Sequence, residues 1–103
     1  MGNLQVARDG ARDGLSRALR YGLAPWVLVG IFTYAELAHA AGDDDRALAL
    51  LGMAQHHPSF SRDNKRMIDN TLAEWKLDAA AVAKGLPQGA ELNFDKTVMG
   101  LVG

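Results

Sequence analysis

The sequence predicts an all-α protein, on the strength of three features. Apolar residues recur at three- and four-residue steps along most of the chain. No segment sustains the alternation of a half-buried strand. Gly, Pro, Asp, Asn and Ser gather between the periodic runs, where helices start and stop. Four to six helices in antiparallel hairpins are expected. At 103 residues and 11.1 kDa, with 49% hydrophobic residues, the chain has material for one core and no room for a second.

Leu4, Ala7, Ala11, Leu15 and Ala18 share one helical stripe, which predicts a first helix over 4–22, closing near Tyr21-Gly22. Its first half repeats Ala-Arg-Asp-Gly at 7–10 and 11–14, and each mid-helix Gly costs about 1 kcal/mol relative to Ala, so its start is its weakest part. Pro25 suits the first turn of a second helix, because its missing N–H is not needed there, and the apolar run that follows ends at Gly42. Asp43, Asp44 and Asp45 then stand where carboxylates cap the free N–H groups of a third helix, which Pro58 closes.

Ser59 or Ser61 can cap a fourth helix, over 61–76, whose stripe is Ile68, Leu72 and Trp75. The tail, 78–103, divides into two short helices. Asp78 would cap one, stopped by Gly85 and Pro87; Asn93 would cap the other, with Phe94, Val98 and Leu101 on one face.

Within 25–58, Gly42 marks the turn of a helical hairpin, with Ala35 at a small position before it and Ala47, Leu51 and Ala54 after it. Small residues there let two helices approach while Leu51 fills the groove between them. In these positions the hairpin resembles a tetratricopeptide repeat, a helix-turn-helix unit of 34 residues. It departs from that pattern at Ala38 and Asp44, where the family carries large or aromatic side chains, and at Pro58, one residue early. The run 42–58, GDDDRALALLGMAQHHP, with the polar helix and short tail after it, also resembles the C-terminal repeat region of large bacterial multidomain regulators. The resemblance implies a fragment of a right-handed solenoid. The first helix would complete a preceding repeat, and the fourth would stack beyond the hairpin as a polar cap. It further implies a scaffold that binds a partner and carries no chemistry of its own.

Composition excludes several functions. The chain has no cysteine, which removes thiolate catalysis and thiolate metal sites. A net charge of −1 argues against a nucleic-acid binder. The basic residues of the first helix, Arg8, Arg12, Arg17 and Arg20, are interrupted by Asp9 and Asp13, with Asp13 and Arg17 spaced for a surface ion pair. Arg62, Lys65 and Arg66 are diluted in the same way by Asp63 and Asp69. The N-terminus has neither the basic start nor the apolar run of a secretory signal, and Val6 occupies the place that a myristoylation motif at Gly2 gives to Ser or Thr. The apolar stretch 25–41 contains Glu36 and His39 and is shorter than the roughly 20 residues a bilayer needs. A cytoplasmic protein with no membrane partner and no cofactor is the expectation.

His39, His56 and His57 lack the spacing of a helical metal site, and the Asp43–Asp45 run lacks the alternating ligands and the Gly of a calcium loop. Ser16, Ser59 and Ser61 lie in no nucleophile-elbow pattern, and no glycine-rich phosphate loop is present. Glu36 is the one candidate acid, inside an apolar helix where burial would raise its pKa unless Arg46 or a histidine pairs with it; a rim residue or ion pair is the favoured reading, and a small-ligand or enzymatic site with His39 the lesser alternative.

The second helix is apolar on nearly every side, more than so short a chain is expected to cover. Trp26, Val29, Phe32 and Tyr34 are therefore the candidate contacts for a protein or peptide. A second copy of the chain, paired as a homodimer, is the alternative occupant.

Overall fold

The computed structural model describes residues 3–58 and 60–102; of Asn3 and Leu4 it describes the backbone alone. The expected places of Leu4 in the first stripe and of Ser59 as a cap lie outside the described side chains. The helices are α1 (Asn3–Arg20), α2 (Ala24–Ala40), α3 (Asp44–Gln55), α4 (Arg62–Trp75), α5 (Ala79–Gln88) and α6 (Phe94–Val102), with a 3₁₀ turn at Gly89–Glu91. No strand occurs among the described residues.

One device makes both of the first two turns. Gly22 and Gly42 adopt φ of 67° and 87°, where a side chain would be strained. Leu23 N–H then donates back to the Ala18 carbonyl at 2.9 Å, and Asp43 N–H to the Ala38 carbonyl at 2.8 Å. Both are Schellman turns, which satisfy carbonyls that the helix end leaves open. Connections this short reverse the chain, so α1, α2 and α3 form consecutive antiparallel pairs.

Helix starts follow the local chemistry of their caps. The Asp43 carboxylate accepts from Arg46 N–H at 3.2 Å, and Asn93 Oδ1 accepts from Lys96 N–H at 2.9 Å. Ser61 and Asn64 form a reciprocal capping box, with Asn64 N–H on Ser61 Oγ at 3.2 Å and Ser61 N–H on Asn64 Oδ1 at 2.9 Å. Asp78 precedes α5 with extended backbone, but its side chain makes no capping bond. The expected stop at Gly85 and Pro87 is overturned, since α5 runs through both to Gln88. Pro87 removes the hydrogen bond to the Ala83 carbonyl, and Ala83 is exposed, so water can replace that bond.

The core gathers Leu15 and Ala18 of α1, Leu28, Ile31, Phe32 and Ala35 of α2, and Ala47, Leu50, Leu51 and Ala54 of α3, closed by Ile68 of α4 and Val98 of α6. α3 lies at its centre, buried without a break from Ala47 to Ala54. α2 packs against it, and so do α5 and the Gly89–Glu91 turn. That second contact is backbone to backbone. A Cβ at Gly52 would collide with the Leu86 carbonyl, and one at Gly89 with the backbone of Ala49 and Met53. The place beside α3 expected for a polar capping helix is thus taken by α5. α4 attaches instead through its side chains, with Ile68 buried and Leu72 and Trp75 resting on the core. α6 returns to pack against α1.

Candidate functional site

Successive helical residues turn by about 100°, which decides which of the four predicted contacts can share a face. Trp26 and Val29 do: they are 62% and 43% exposed, on the outer side of α2. Phe32 does not. It is 6% exposed and belongs to the core with Ile31 and Ala35, so its expected role as a surface contact is corrected to a packing one. Tyr34 points to another flank of α2, where its hydroxyl donates to the Leu101 carbonyl at 3.0 Å and closes the end of α6. Burial raises the Tyr34 pKa above the usual phenol value; the Arg12 guanidinium acts against that rise, and Asp9 adds to it.

Trp26 and Val29 edge a groove of about 280 Å³ between α1 and α2. Gly10, Ala11, Gly14 and Leu15 form one wall, while Gly30 and Thr33 complete the other; no charged side chain lines it. Gly10 and Gly14 leave open space beside their backbones on this wall, whereas Gly30 is in close contact with the Leu15 side chain. Val6 of α1, with Tyr21 and Leu23 of the turn between α1 and α2, adds further exposed apolar surface. The sequence did contain a signal for this wall, in the repeated glycines of 7–14.

The opposite flank of α2 has a different character. A cavity of about 300 Å³ there combines Tyr34, Leu50 and Leu101 with Arg8, Asp43 and Arg46. On the surface of α1, Arg17 pairs with Asp13 at 3.2 Å and Arg12 with Asp9 at 3.6 Å, and on α4 Lys65 pairs with Asp69 at 3.4 Å. All are exposed pairs one helical turn apart, worth about 0.5 kcal/mol or less each.

Of the two readings of Glu36, exposure on the outside of α2 favours the rim residue over the buried acid. His39 is engaged elsewhere. Its Nδ1 lies 2.6 Å from Asp44 Oδ1, and its ring stacks on Trp75 with centroids 4.3 Å apart and planes 13° from parallel. The pairing joins the end of α2 to the start of α3 and the end of α4, a structural clasp that leaves Glu36 outside it. The His57 ring leans against Phe94 at 4.8 Å. Among the described residues, no group of three or more His, Asp or Glu side chains could hold a metal ion, and no helix is long and apolar enough to cross a membrane. Comparison with protein-family models, with curated proteins and with solved structures returns no match to this chain.

Proposed function

We propose that the chain is a non-catalytic interaction module that docks a protein or peptide on the outer face of α1 and α2. The observation that carries this reading is the exposure of Trp26 and Val29 beside a groove lined by no charged side chain. A tryptophan left 62% exposed in a chain with a well-filled core is the residue type that anchors interfaces. The arrangement is further proposed to be tetratricopeptide-like. In support, Ala35, Ala47 and Ala54 are buried in the core shared by α2 and α3, and the Gly42 turn closes that hairpin. On this reading the module acts in the cytoplasm as part, or as a relative, of a bacterial signalling or transcriptional regulator.

The test is selection of helical peptides on the immobilised chain from a displayed library, followed by affinity measurement with Val29→Asp. A charge in the groove should weaken the selected peptides about tenfold or more, while the helical circular dichroism of the variant matches the parent. Peptides that bind the variant equally well would place the docking surface elsewhere, and enrichment of none would remove the reading.

A further inference from the structure

We propose that the occupant of the α1–α2 face is a second copy of this chain, the two helix pairs closing face to face into an antiparallel four-helix bundle. The inference rests on the docking-face reading and names its partner.

Two properties of the face favour a copy of itself. The first is shape: the projecting groups, Trp26 and Val29, and the depression over Gly10 and Gly14 lie on the same patch. A two-fold axis lets each copy supply the projection that the other lacks, which is the requirement for an isologous interface. The second is charge. Place the axis in the plane of the interface, across the helices at the level where Leu15 meets Gly30, midway between Asp13 and Arg17. α1 then crosses its own copy antiparallel, and Asp13 of each protomer comes within one helical turn of Arg17 of the other. These two already pair within one chain at 3.2 Å and are both exposed, so they are available to form a four-membered ring of alternating charge. Glu36, the exposed acid on the outer side of α2, lies six residues beyond Gly30. The same axis therefore carries the two Glu36 side chains about 18 Å apart, at opposite ends of the bundle. Like charges are separated and unlike charges meet.

The area is sufficient. From Val6 to Tyr21 the face is about 22 Å long, and two packed helices make it about 20 Å wide; together the two copies cover on the order of 1,000 Å². That is the smaller end of specific interfaces, so the dimer should form reversibly with concentration.

Light scattering behind a sizing column, over about a hundredfold range of concentration, reads the result directly. The mass should rise from the 11.1 kDa of one chain toward twice that value, and Val29→Asp should hold it at one chain. The decisive pair is Asp13→Arg and Arg17→Asp, both at exposed positions. Each alone puts like charges across the axis and should weaken self-association about tenfold; an equimolar mixture of the two should recover a heterodimer, because two basic groups then face two acidic ones only between different chains. Circular dichroism shows that each variant is folded. A wild-type monomer at every concentration overturns the proposal, and so does a dimer indifferent to Val29→Asp or to the charge pair. If the monomer still binds selected peptides through Val29, only the choice of occupant fails. A monomer that binds none removes the docking face as well.

Discussion

α2 is the most apolar helix of the chain, and α3, which begins with acidic residues, is much less so; yet α3 is buried from Ala47 to Ala54, and α2 leaves Trp26 and Val29 in solvent. Burial therefore follows neighbours rather than hydrophobicity. α3 alternates large and small residues, and its Ala47, Gly52 and Ala54 let backbones close on it from both sides. α2 faces α3 equally well but meets, on its α1 side, a helix whose glycines leave a groove. The lesson is that a small residue has opposite consequences according to what lies across from it. Gly52 admits a second backbone; Gly14 leaves a space open.

The sharpest way to break this comparison is within α2. Leu28→Ala, at a fully buried position, should cost about 3 kcal/mol by urea denaturation, whereas Val29→Ala next to it should stay within about 0.5 kcal/mol. Similar costs at the two sites would mean that the outer face is covered after all. The glycines come next. Gly52→Ala forces a methyl against the Leu86 carbonyl, which cannot move without shifting α5, and should destabilise by about 2 kcal/mol. Gly14→Ala meets nothing and should stabilise by roughly 1 kcal/mol through helix propensity alone. Thermal melts of the pair should move in opposite directions.

The smallest effect tests the other flank of α2. Tyr34→Phe loses the bond to the Leu101 carbonyl and should cost about 1 kcal/mol. Because burial raises the Tyr34 pKa in the folded state, folded protein holds that proton more tightly than unfolded protein. Its contribution is fully present below the ordinary phenol value of 10.0 and is lost as pH rises through the higher folded value. The parent should show a stability loss above pH 10 that the Phe variant lacks, and identical alkaline limbs would contradict the assignment.

Much of the architecture was legible in the sequence where the governing interaction is local. Asp43, Ser61 and Asn93 cap helices because their side chains reach N–H groups three residues on, and Gly22 and Gly42 end helices because they accept positive φ. The stripe of α4, with Ile68 buried and Leu72 and Trp75 beside it, followed from its period. Where propensity met packing, local reasoning failed. Gly85 and Pro87 signal a stop, but α5 continues through them; Gly85, set against Leu48, is a point of close approach to α3. Of the four candidate contacts, exposure at two was legible; the burial of Phe32 and the partial burial of Tyr34 were not. Trp26 and Val29 stood in an apolar run, but composition cannot divide such a run into faces. Such a run places Phe32 and Tyr34 beside them, although the helical turn sends one into the core and the other toward α6.

The sequence by itself determined the helical class, the helix count within its expected range, most caps and turns, and the absence of thiol chemistry. These depend on hydrogen bonds and periodicities spanning a few residues. Only the tertiary structure decided that α3 rather than α2 is central, that α5 rather than α4 packs closest on it, that His39 is held by Asp44 and Trp75, and that a groove opens over Gly10 and Gly14. Each of those depends on which distant segment arrives beside a given face, and steric fit between the two surfaces settles it.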